Sequence, residues 1–259
     1  RSDALTAGVD FRHEWANRSW AVRGDIEGSR ITGSTTAIVA VQRASNHFFQ
    51  RPDATHLEVD SLATSLAGYS MSAALTKQAG LHWRGELAGA MTSGGYEVND
   101  LGFAVRTDRK DAQATVQYLE NLPGDFLRRW SVTVVGRSEH NFAWQPILSF
   151  VNGAVTATTL GYWSMNVNVR RMIQAFDDRL TRGGPIAIRP AATQAQATFT
   201  SDARLPATGS LSAYAERTEA GGWTTTTGLS FGIKTSSRWN LCPTPKWSSP
   251  MARASRPVS

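Results

Sequence analysis

Three short strings gather side chains able to do chemistry. Arg51 and Asp53 flank Pro52; Glu97, Asn99 and Asp100 sit close together; Asp177, Asp178, Arg179 and Arg182 lead into Gly183-Gly184-Pro185. Carboxylates held ~5–10 Å apart can act as the acid and base of a glycosidase. Hard carboxylate oxygens also suit calcium. Adjacent acids such as Asp177 and Asp178 point in different directions, however, and no loop carries an Asp-x-Asp-x-Asn-Gly pattern. Two readings of the nine residues stay open. They form a polar binding surface or plug, or they are turn formers and ion pairs that shape the loops.

Other chemistries lack their residues. His13, His47, His56, His82 and His140 form no His-Glu-x-x-His pair, and no Gly-x-Ser-x-Gly elbow occurs. Gly183-Gly184-Pro185 does not fit the phosphate-loop pattern and has no lysine after it. Cys242 is the sole cysteine, so neither an intramolecular disulfide nor a thiolate zinc site is available. We therefore expect no catalytic constellation, no metal and no cofactor.

The elements that must carry these strings show period two. Val9, Phe11, His13 and Trp15 alternate with Asp10, Arg12 and Glu14. Trp83, Gly85 and Leu87 alternate with Arg84 and Glu86, and Trp163, Met165, Val167 and Val169 with Ser164, Asn166, Asn168 and Arg170. Such matching finds about twelve strands, near 4–15, 20–28, 66–76, 81–91, 111–120, 127–136, 147–159, 163–171, 193–201, 209–217, 223–234 and 239–247. Many reach the ~9–11 residues that cross a bilayer as a tilted strand. Short connections at 16–19, 77–80, 121–126 and 160–162 alternate with longer ones at 29–65, 92–110, 137–146 and 172–192, while the last three, 202–208, 218–222 and 235–238, are all fairly short. An up-and-down outer-membrane barrel sorts its loops in this way. The three strings all fall in the long loops, which should meet at one end. There Arg51, Arg179 and Arg182 should approach Asp53, Glu97, Asp100, Asp177 or Asp178.

Composition agrees with a folded chain. Hydrophobic residues make up 41% of 259, and the longest apolar run, Ala37 to Val41, is far short of the ~18 residues of a membrane helix. The net charge of +6 comes from arginines spread along the chain without a stripe, which argues against nucleic acid. Aromatic rings gather at strand ends: Trp15 and Trp20, Tyr118 and Trp130, Tyr162 and Trp163. Val9, Phe11, Val22, Ile26, Trp83, Leu87, Val132, Val134, Val167 and Phe231 should share a lipid-facing side. Arg12, Arg23, Asp25, Arg84, Glu86, Asn166 and Arg170 should face a wet interior.

Phe49 to Ala54, Tyr96 to Phe103 and Asp177 to Pro185, set in this alternation, resemble the C-terminal region of bacterial proteins grouped as domain of unknown function 5916. The resemblance runs in order from about Gly8 to Asn240. It implies an envelope protein whose membrane barrel follows an N-terminal sugar-binding-like sandwich; some members are labelled hydrolases for that first domain. It supplies no catalytic residues.

The expected fold is an all-β, antiparallel, up-and-down transmembrane barrel over 1–241, part of a larger one. Since Arg1 opens directly on a strand pattern, sequence with any export signal is expected upstream. Residues 242–259 hold four prolines and no alternation, and are expected to be an irregular tail from an altered or truncated frame. An imperfectly closed barrel follows, with 4–15 and 223–234 at or near its edges. The expected role is a non-enzymatic protein of the bacterial outer membrane, in contact with lipid, that binds or passes a saccharide or other small polar solute. The alternative is a soluble secreted carbohydrate-binding or hydrolase-associated β-module.

Overall fold

The computed structural model describes residues 2–99, 102, 104–234, 240–241 and 246–249. The period-two runs become β1 (Asp3–Trp15), β2 (Trp20–Thr32), β3 (Ser65–Lys77), β4 (Trp83–Thr92), β5 (Arg109–Glu120), β6 (Leu127–His140), β7 (Pro146–Thr159), β8 (Ser164–Met172), β11 (Ala192–Thr200), β12 (Ala207–Thr218) and β13 (Trp223–Lys234). Each pairs antiparallel with the next in one meander. The weak segment at 239–247 resolves into β14 (Asn240–Leu241) and β15 (Lys246–Ser249), both paired with β13. β15 falls within the stretch expected to be an irregular tail; Cys242 and most of 242–259 lie outside the described residues.

The sheet is not closed into the expected barrel. Among the described residues β1 pairs with β2 alone, and β13 carries β14 and β15 on its far side. The segments expected at or near the edges occupy those places. β1 leaves a full row of backbone donors and acceptors without a strand partner.

The register separates the two faces as the alternation requires. Val9 is opposite Ile26, Ile26 opposite Met71 and Met71 opposite Met91. Leu75 pairs with Leu87, Val116 with Val134, Val155 with Val167 and Leu211 with Leu229. All ten residues assigned to the apolar side share this face, and all seven assigned to the other side lie opposite. The apolar face is bare: Val9 is 69% exposed, Leu87 61% and Phe231 50%. Rings border it at the short-turn end, where Trp15 stacks on Trp20 and Tyr118 touches both Trp83 and Trp130. Tyr69, Trp144 and Trp223 are exposed towards the other end. From Tyr69 to Lys77, the register partner of Trp20, the strand covers roughly 26 Å.

Connections 16–19, 78–82, 121–126, 160–163 and 201–206 lie at one end, and loops 33–64, 93–108, 141–145 and 173–191, with the short turn 219–222, at the other. The first turn is tight enough to need left-handed φ at Ala16, Asn17 and Arg18. Two elements in the long loops are absent from the period-two reading. Ala37 to Val41 lies in α1 (Thr35–Gln42), whose N-cap Ser34 accepts the Ala37 N–H. Ile38 and Val41 pack on Ile31 of β2, with Ala63 and Leu66 beside them, in a small core on the polar face. The second is a hairpin of β9 (Ala175–Asp177) and β10 (Ala187–Arg189).

Candidate functional site

The long loops fold onto the polar face and cap it. Gly68 shows how closely: a Cβ there would stand 2.1 Å from the Tyr96 nitrogen, so only glycine admits the loop. The Tyr96 hydroxyl donates to Glu27, and the Glu97 N–H donates to Ser29 Oγ at 2.9 Å. Both acceptors lie on the polar face of β2.

Charge holds the cap together. Arg51 contacts Asp108 at 3.5 Å and Asp178 at 3.3 Å. Arg106 contacts Asp178 at 2.8 Å and Glu139 of β6 at 3.4 Å. Arg137 continues the chain from Glu139 to Asp111, which also meets Arg109. Cations and anions thus alternate from the loops into the wall. Asp108 is its joint: besides Arg51, it faces His56 Nε2 at 2.9 Å and accepts the Phe142 N–H at 3.0 Å. The Arg51, Asp108 and Asp178 side chains are nearly inaccessible to water. Desolvating such charges is costly, so each must keep its partner.

A second cluster surrounds Glu97. His47 Nε2 lies 2.8 Å from Glu97 Oε2, and Asn46 donates to the same oxygen at 3.1 Å. His47 Nδ1 faces the Gly94 carbonyl at 2.7 Å. Burial acts to raise the Glu97 carboxyl, but hydrogen bonds from His47, the Asn99 N–H and Asn46 outweigh it and hold it down at about 2. Such a group stays ionised and is the opposite of a general acid. The Asp108 and Asp178 oxygens face the guanidinium groups of Arg51 and Arg106.

The nine sequence-derived residues divide as follows. Arg51 and Asp178 meet directly. Asp53 accepts the Ile186 N–H at 3.1 Å and ties the loop over 33–64 to the one over 173–191. Glu97 takes His47 and Asn46 as partners. Asn99 is exposed and closes its own turn by accepting the Ala104 N–H at 2.7 Å. Asp177 accepts the Arg179 and Leu180 N–H groups and pairs with Arg189; burial acts to raise its carboxyl, but these partners bring it below the usual range. Arg179 donates to the carbonyls of Ser45, Asn46 and Val105 and lies over Phe48. Burial, then the nearby Arg106 charge, brings its guanidinium down to about 10. Asp100 lies outside the described residues.

Arg182 lies in a tight turn. Its turn is closed by Arg182 N–H to Arg179 C=O and Gly184 N–H to Thr181 C=O, with a left-handed φ of 53°. The side chain is exposed, with no ion pair among the described residues. Sequence reasoning missed Asn46, His47, His56, Arg106, Asp108 and Glu139. Only Glu139 had a local signal: the Arg137, Glu139 alternation continues the polar face of β6 past the expected strand end at 136.

No curated protein and no solved structure shows significant similarity to the chain. The model of a family described as a domain of unknown function (DUF5916) matches residues 2–251, nearly all of the chain, which therefore belongs to that family.

Proposed function

We propose that this chain forms wall and cap of a bacterial outer-membrane β-barrel that binds or passes a small polar solute, a saccharide being the first candidate. The carrying observation is the contrast between the faces of one meander. A bare apolar face bordered by aromatic rings suits lipid, and an opposite charged and amide-rich face suits water. Loop sorting agrees, with short turns on the periplasmic side and the cap on the outer side. In a soluble β-protein, residues such as Val9, Leu87 and Phe231 would need a second layer. The saccharide rests on analogy with the family. The rims of the cap, with Asn99 and Arg182, are its accessible polar surface.

Reconstitution into phosphatidylcholine vesicles tests the reading. The protein should stay with the vesicles through an alkaline carbonate wash and migrate differently on gels before and after boiling. A monodisperse monomer in detergent-free buffer that ignores vesicles would reject it, and would favour the soluble carbohydrate-binding alternative.

A further inference from the structure

We propose that the polar face holds a binding site for an acidic sugar, a carboxylate bearing several hydroxyls, at the end away from the cap. A cavity of about 500 Å³ opens there across β4 to β11, within the ~300–1,000 Å³ usual for small-ligand sites. Arg84, Gln117, Arg129, Thr156, Asn166 and Thr198 are among its lining, which contains no carboxylate.

That lack of acids sets these two arginines apart from the other arginines of this face except Arg170, which instead donates to Asn152 and lies over Phe150. On the same face Arg12 meets Glu14, Arg23 meets Glu86, and Arg109 and Arg137 meet Asp111. Arg84 and Arg129 have no ion-pair partner among the described residues; Arg129 donates only to Thr158 Oγ1, at 3.3 Å. A guanidinium fork without a carboxylate is matched to one brought by a ligand, because it offers parallel N–H donors. Around the forks lie hydroxyls and amides, which both donate and accept, as sugar hydroxyls do. The Asn166 and Thr198 side chains have no hydrogen-bond partner among the described residues and keep that capacity for a solute. A bare anion would use the arginines and waste the neutral groups; a neutral sugar would do the reverse.

The proposal goes beyond the membrane reading, since it needs the folded polar face but no bilayer. Calorimetric titration of the full chain, its fold checked by near-ultraviolet circular dichroism, tests it with galacturonate, galactose and acetate as probes. Galacturonate should bind at least tenfold more tightly than either of the others. Arg84→Gln with Arg129→Gln should lose at least tenfold for galacturonate with the spectrum kept. Should that variant not fold, Asn166→Ala should weaken galacturonate severalfold and leave acetate unchanged. No heat with galacturonate, equal affinity for galactose or acetate, or folded variants that bind like the parent would overturn the proposal.

Discussion

From β1 to β6 the polar face carries Asp10, Arg12, Glu14, Arg23, Asp25, Glu27, Arg84, Glu86, Arg109, Asp111, Arg137 and Glu139. On β7, β8, β11 and β12 it carries Asn152, Thr156, Asn166, Asn168, Gln194, Gln196, Thr198 and Tyr214, with Arg170 and Glu216 as its only charges. The cap docks on the charged half, through Tyr96 on Glu27 and Arg106 on Glu139. Paired charges fix polypeptide against this face, because each buried ion demands one specific partner. Amides and hydroxyls make no such demand, and much of their bonding capacity stays open. The loops dock on one half of the face, and the other half keeps neutral side chains with open bonding capacity.

The largest expected effect breaks the charged half. Asp178→Ala leaves Arg51 and Arg106 without the carboxylate they share, a loss of about 3–5 kcal/mol. Limited proteolysis should then cut within 45–60, 94–108 and 176–190 while the strand signal in circular dichroism persists. Asn168→Ala, its counterpart on the neutral half, should leave the loops protected. Equal loop protection in both variants would end the distinction.

The apolar face should make no such distinction between halves. Leu87→Arg behind the charged half and Val169→Arg behind the neutral half should each cost roughly 2–4 kcal/mol near the bilayer mid-plane, read by urea titration of vesicle-reconstituted protein. Negligible cost in both would mean that lipid does not contact this face.

Acid probes the Glu97 cluster. Its carboxyl is held below the unfolded value of 4.5, at about 2. Its contribution is therefore complete above pH 4.5 and is lost as pH falls towards about 2. Pepsin should cleave the loop around 93–99 increasingly across that window, and Glu97→Gln should flatten the dependence. A parent whose cleavage is constant from pH 4.5 to 2 would show that Glu97 does not fasten the cap.

Arg182→Ala should do least. The side chain is exposed and outside the ion-pair chain, so stability should change by no more than about 0.5 kcal/mol and loop protection should match the parent. Loss of protection would give Arg182 the ionic role that sequence suggested.

What was legible follows from the range of each interaction. Strand alternation is local, so the runs through Val9 and Phe11 or Met165 and Val167 mark both the strands and their faces. Helix α1 was not legible, because Ala37 to Val41 is a short apolar run that suits either strand or helix. Packing on Ile31 resolves it.

By itself, then, the sequence determined an antiparallel β meander, the face each side chain occupies, and the end at which each loop emerges. A period of two needs only near neighbours to be expressed. Tertiary structure alone decided which charges meet. Arg51 reaches Asp108 across 57 positions, and Arg106 reaches Asp178 across 72. Nothing local distinguishes Asp178, buried between two arginines, from Asp177, which caps a turn. It also decided that Arg84 and Arg129 meet no acid among the described residues, since a cation's partner depends on which strand and which loop the fold lays beside it.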